Sequence, residues 1–91
     1  MQTIYHTTAT EKVISETGSL TEFYNLTNKL SKTRFVRFTG KNDEADIIEW
    51  CFTYRGHKLM LQYNIYTGLS LLTNNARDIK TVEKLAEKLR Q

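Results

Sequence analysis

The residues from 48 to 65 alternate between apolar and polar side chains, and this alternation restricts the fold more than any other feature of the sequence. A period of two is the pattern of β-strands that have one buried face. Successive side chains of a strand point to opposite faces of the sheet, so the apolar set shares one face. That buried face is predicted to hold Ile48, Trp50, Phe52, Tyr54, Leu59, Leu61, Tyr63 and Ile65.

The turn between these two strands must contain an even number of residues, because an odd loop would place apolar side chains opposite polar ones. A two-residue turn at Gly56-His57 sets Phe52 opposite Leu61 and Cys51 opposite Gln62. A two-residue turn at Arg55-Gly56 preserves the match in polarity equally well. The alternation therefore allows both turns.

A third strand follows a predicted three-residue loop at residues 66 to 68, in which Gly68 takes the left-handed conformation. This loop sets Ile65 opposite Leu69 and Tyr63 opposite Leu71. The buried face of the sheet therefore gains two leucines.

A strand at residues 34 to 39 precedes these three, and a turn is predicted at residues 40 to 43. One register of this strand exposes Phe35, and the other exposes Val36 and Phe38. Residues 2 to 8 could add an edge strand or cover the outer face of the sheet. No structure is predicted for residues 9 to 17.

Two amphipathic helices flank the sheet. The first begins at Ser19, which with Glu22 forms the S-x-x-E capping box. The second is predicted to be capped by Asn74 or Asn75. Apolar residues recur at spacings of three and four in both helices. The two stripes are Leu20, Phe23, Leu26 and Leu30, and Ile79, Val82, Leu85, Ala86 and Leu89.

These patterns predict a single α+β domain over residues 1–91: a two-layer sandwich in which two helices cover one face of a four-stranded antiparallel meander, with a possible extra N-terminal strand. No apolar run approaches the length of about 20 residues that crosses a bilayer, so no contact with a membrane is expected. The lone Cys51 cannot form an internal disulfide, which favours the reducing cytoplasm.

Catalytic, metal and cofactor sites are not predicted. Cys51 and His57 lie on one hairpin but too far apart for the histidine to activate the thiol. The spacing of His6, Cys51 and His57 fits no zinc motif, and no phosphate-binding glycine motif occurs. The chain is therefore expected not to be an enzyme.

Two surfaces remain as candidates for binding. The outer sheet face is predicted to gather apolar side chains into a patch, which typically marks an interface with another protein or a second copy. The alternative is a nucleic-acid-binding module that uses a basic segment free of acids, although hairpin pairing of Arg34 and Arg37 with Glu44, Asp46 and Glu49 is expected to neutralise much of it. The patch comprises Ile47, Cys51, Met60 and Leu72, and the basic segment comprises Lys29, Lys32, Arg34, Arg37 and Lys41.

Overall fold

The computed structural model describes residues 11–16 and 18–90, and this part of the chain contains five strands and two α-helices around one core. The α+β prediction is confirmed, with a fifth strand at residues 11–15, a segment for which no structure was predicted. Residues 2 to 8, for which an edge strand or a cover was predicted, lie outside the described residues. In chain order the elements are β1 (Glu11–Ser15), α1 (Leu20–Ser31), β2 (Val36–Asp43), β3 (Ile47–Tyr54), β4 (His57–Asn64), β5 (Gly68–Leu72), a short 3₁₀ turn (Ala76–Asp78) and α2 (Ile79–Arg90).

The sheet is antiparallel, with the strand order β1-β5-β4-β3-β2. β2 to β5 form the predicted meander, and β1 pairs with β5 at the edge. No helix in the described ranges is long and apolar enough to span a membrane.

The turn between β3 and β4 is Arg55-Gly56, since Tyr54 pairs with His57. Both turn residues are left-handed, with φ of 53° and 84°, which matches the twist of the flanking strands. The Gly56-His57 alternative is wrong, and Cys51 consequently pairs with Met60 instead of Gln62. The side chains on each face of the sheet are the same for either turn, because both turns contain an even number of residues.

The loop between β4 and β5 lies one residue earlier than predicted. Asn64 pairs with Gly68, so Tyr63 faces Leu69. The Asn64 side chain accepts a hydrogen bond from the Tyr66 backbone N–H at 2.8 Å, which stabilises the turn directly after Asn64. Ile65 is therefore part of the loop and 50% exposed, and its prediction as a core residue is wrong.

β2 does not end at the predicted turn over residues 40 to 43 but runs on to Asp43. The hairpin closes at residues 44 to 46, where the Glu44 N–H donates to the Ile47 carbonyl at 2.8 Å. A register shift between Phe38 and Gly40 lets the strand continue through the turn-like residues. Val36 and Phe38 pack against the core, so the register that exposes Phe35 is the correct one.

Both helices cover the same face of the sheet, because their buried residues and the inward strand residues form one cluster. Ser19 caps α1 by accepting from the Glu22 N–H at 3.2 Å, and Asn75 caps the 3₁₀ turn that precedes α2. Leu20 departs from the prediction, since it is 41% exposed at the first turn of α1. The buried cluster is Phe23, Leu26, Leu30, Phe52, Tyr54, Leu59, Leu61, Leu69, Leu71, Val82, Leu85, Ala86 and Leu89.

An exchange of Gly68 for alanine tests how closely β1 approaches β5. A Cβ at Gly68 would lie 2.1 Å from the Ser15 carbonyl oxygen, whereas a Cβ at Gly56 would meet nothing within 4 Å. Both glycines have positive φ, so G56A carries the conformational cost alone, about 1–2 kcal/mol. G68A adds the steric overlap and should lower the free energy of unfolding by about 3–5 kcal/mol. If urea denaturation showed the same loss of unfolding free energy for G56A and G68A, the close approach of β1 to Gly68 would be contradicted.

Candidate functional site

Three of the four predicted patch residues form a continuous line across the outer face of the sheet. Cys51 on β3 pairs with Met60 on β4, and Met60 pairs with Leu72 on β5. All three side chains are half-buried. We call Cys51, Met60 and Leu72 the apolar row; the two α-helices lie on the opposite face of the sheet.

Ile47 does not belong to this row. It shares the outer face but lies four residues from Cys51 along β3, a separation of ~13 Å. Glu49 lies between them, and the Gln62 side chain donates to its carboxylate at 3.2 Å. A polar pair therefore separates Ile47 from the apolar row, and its grouping with the other three residues is wrong.

Across β2, β3 and β4, the charges of the outer face lie on opposite sides of the apolar row, and the exposed Glu11 of β1 extends the row beyond Leu72. On one side, Arg37, Thr53 and Lys58 are neighbours across β2, β3 and β4. On the other side, Glu49 pairs with Asn42 and Gln62. Along the strands the outer face is therefore basic, then apolar, then acidic.

A cleft of about 770 Å³ opens beside the apolar row at the end of the sheet that carries the β3–β4 turn. His57 and Asp78 line it, and the His57 Nδ1 lies 2.7 Å from an Asp78 carboxylate oxygen. This contact ties the start of β4 to the residue that precedes α2. Its other lining residues are Thr39, Cys51, Phe52, Thr53, Gly56, Lys58, Leu59, Met60, Thr73, Asn74 and Asn75.

The cleft does not place a base beside the Cys51 thiol. Cys51 pairs with Met60, three residues along β4 from His57, which corresponds to ~10 Å. That separation is far beyond hydrogen-bond reach. Within residues 11–16 and 18–90, no group of three or more His, Cys, Asp or Glu side chains could hold a metal ion, and His6 lies outside these ranges.

The predicted basic segment is divided among several surfaces. The Lys29 ammonium donates to the Leu89 carbonyl at 3.0 Å, at the end of α2. The Lys41 ammonium lies 4.1 Å from the centroid of the Trp50 ring, on the helix side of the sheet. Arg37 is on the outer face, and Lys32 and Arg34 lie between α1 and β2.

The expected neutralisation of the arginines across the hairpin is wrong. Arg37 pairs with Thr53, while Glu49 pairs with Asn42. Because β2 extends to Asp43, the acids Glu44 and Asp46 lie at the far end of the hairpin from Arg37. The structure thus separates basic and acidic side chains that the predicted turn would have brought together.

Arg55 was not predicted as a binding residue, yet its guanidinium lies 4.8 Å from the centroid of the Phe35 ring. The guanidinium of Arg34 lies over the same ring at 5.7 Å. Phe35 is 57% exposed. The sequence carried one signal of this basic surface, because residues 50 to 77 contain the cations Arg55, Lys58 and Arg77 and no Asp or Glu.

The Cys51 thiol is predicted to react slowly with iodoacetamide. Burial raises its pKa, and the nearby Glu49 carboxylate raises the pKa further, so less thiolate is present at neutral pH. The alkylation rate of the folded protein should rise with pH, and its midpoint, the pH at half of the maximal rate, should be higher than that of the chain unfolded in urea. Glu49→Gln keeps the shape of the side chain, removes its charge and should make alkylation a few times faster. A midpoint at or below that of the unfolded chain would contradict this environment.

Comparison with known proteins identifies a family. Neither the curated proteins nor the solved structures contain a match to this chain. One family model matches residues 1–91, and it is described as "Protein of unknown function (DUF3630)". The match covers the whole sequence, and the chain therefore belongs to the DUF3630 family.

Proposed function

We propose that the protein is a non-enzymatic interaction domain that forms a homodimer through its outer sheet face. The supporting observation is the apolar row at the middle of this face, on the side of the sheet opposite to the two helices. A contiguous apolar surface with polar side chains around it is typical of protein interfaces.

The charges of the face favour a second copy of the same chain as the partner. A twofold axis that runs along the apolar row would stack the apolar rows of the two copies. The same axis would place the Arg37–Lys58 side of each copy over the Glu49 side of the other. Across β2 to β4 the charges of such an interface are self-complementary, as a twofold interface requires, whereas Glu11, which pairs with Leu72 at the end of the row, would lie close to Glu11 of the second copy. Opposite charges at both sides of the row would also fix the relative orientation of the copies.

The size of the face suits a weak dimer. Three eight-residue strands and two five-residue strands, at ~4.8 Å between strands and ~3.3 Å per residue, give a face of ~540 Å². Two such faces would bury ~1,100 Å² in total, which is in the range of weak or transient interfaces. Much of this surface is polar, so a dissociation constant in the micromolar range is expected.

Met60→Glu is predicted to abolish the dimer, because it would bury a carboxylate at the centre of the interface. Leu20→Glu is the matched control, since it makes the same kind of change at an exposed site of α1. Light scattering after gel filtration, over a concentration series, should show a dimer for the natural chain and L20E and a monomer for M60E. A natural chain that stays monomeric at millimolar concentration would contradict the proposal.

A charge exchange tests the orientation of the two copies. Glu49→Lys and Lys58→Glu should each weaken the dimer about 3- to 10-fold, because each places like charges opposite one another. The double variant E49K/K58E restores opposite charges and should regain most of the affinity in sedimentation equilibrium. If the double variant loses as much free energy of dimerisation as the two single variants lose together, the twofold arrangement is wrong.

A further inference from the structure

A second surface, separate from the apolar row, carries an exposed aromatic residue with two cations close to its ring. It consists of Arg34, Phe35 and Arg55, and we call it the Phe35 corner. The guanidinium carbons of Arg34 and Arg55 lie 5.7 and 4.8 Å from the Phe35 ring centroid. The Arg55 guanidinium also lies 5.6 Å from the centroid of the Tyr54 ring, so a second aromatic side chain lies next to the corner. The Phe35 residue is more than half exposed to solvent.

The backbone of Phe35 has an unfavourable conformation. Phe35 and Arg55 have φ of 68° and 53°, and they are the two non-glycine residues with positive φ in residues 11–16 and 18–90. The Arg55 N–H donates to the Phe35 carbonyl at 3.1 Å, which joins the two strained residues. A bulky side chain rarely occupies this region, and glycine or asparagine would fit it better. Fold stability alone therefore does not account for an exposed phenylalanine here.

The surroundings of the corner are poor in negative charge. Residues 23 to 42 and 50 to 77, which include the whole corner, contain no Asp or Glu. Asp78 contacts the ring of His57, which pairs with Tyr54. Lys32, which is exposed at the end of α1, adds a further cation within the same turn. The corner thus combines an exposed aromatic residue with positive charge.

We infer that the Phe35 corner binds single-stranded nucleic acid. An unpaired base would stack on the exposed Phe35 ring, and the guanidinium groups of Arg34 and Arg55 would turn from the ring to bind the neighbouring phosphates. Single-stranded chains are bound in this way because every base has a π-face and every nucleotide carries a phosphate. An acidic protein segment would satisfy the arginines but would leave the aromatic ring unused.

Fluorescence anisotropy with labelled oligo(dT) of about twelve residues, a length suited to one small site, tests this inference. We expect micromolar affinity at about 20 mM salt and a steep loss as salt rises. Phe35→Gly removes the ring and relieves the positive φ, so it should fold at least as stably. It should nevertheless weaken binding about 5-fold or more, since one stacked base is lost. Should F35G fail to fold, Phe35→Asn, which tolerates the same φ, takes its place.

Tyr66→Gly is the matched control, because it removes an aromatic ring that is 76% exposed at the opposite end of β4. Binding by Y66G should equal that of the natural chain. Arg34→Gln should weaken binding and reduce the slope of log affinity against log salt by about one, as expected for one lost phosphate contact.

Three outcomes would overturn the inference: no binding at low salt, equal binding by F35G and the natural chain, or tighter binding to polyglutamate of the same charge than to oligo(dT). The corner does not depend on the proposed dimer. The monomeric variant M60E should bind oligo(dT) as the natural chain does, while F35G should still dimerise. Failure of one proposal is therefore distinguishable from failure of the other.

Discussion

The burial of one sheet face beneath two helices is the constraint from which the other features of this protein follow. Phe23 of α1 connects the layers, since its ring meets Trp50 edge to face at 5.8 Å. Phe38 meets the same indole at 5.5 Å from the neighbouring strand β2. These contacts fix which side of each strand faces inward. Residues of the opposite parity, including Cys51 and Met60, must then face outward.

The outer face and the Phe35 corner owe their charge to the register of the β2–β3 hairpin. Because β2 continues to Asp43, the acids of the turn lie at one end of the sheet. The cations Arg37 and Lys58 lie toward the other end. A shorter β2 would have placed opposite charges side by side and left a nearly neutral surface. The binding surfaces that we propose both depend on this separation of charge.

The alternation of apolar residues was sufficient to predict the two sheet faces and the contiguity of Cys51, Met60 and Leu72, and apolar spacings of three and four were sufficient to predict the two helices. The alternation was insufficient to predict which residues pair across β3 and β4, because both two-residue turns keep apolar side chains opposite apolar ones. The Arg55-Gly56 turn requires an arginine with positive φ, which sequence preferences do not favour. Residues 40 to 43 resemble a turn in composition, yet an irregularity after Phe38 carries the strand through them. That single error produced the false pairing of the arginines with acids.

The assignment of faces also determined what could be predicted about function. The Phe35 corner depends on backbone conformation and on a contact between β2 and the β3–β4 turn, and neither has a local sequence pattern. For Ile47 the sequence predicted the correct face of the sheet, but not its distance from Cys51 along β3. Predicting that residues share a face is thus easier than predicting that they touch.

Nuclear Overhauser effects between methyl groups test the assignment of faces most directly. We expect cross-peaks within one chain from the Met60 methyl to the Leu72 methyls, and from the Leu61 methyls to those of Val82 or Leu85. No cross-peak is expected from Met60 to either helix. Cross-peaks between Met60 and Val82 or Leu85 would show that the apolar row lies beneath the helices, and would contradict the account.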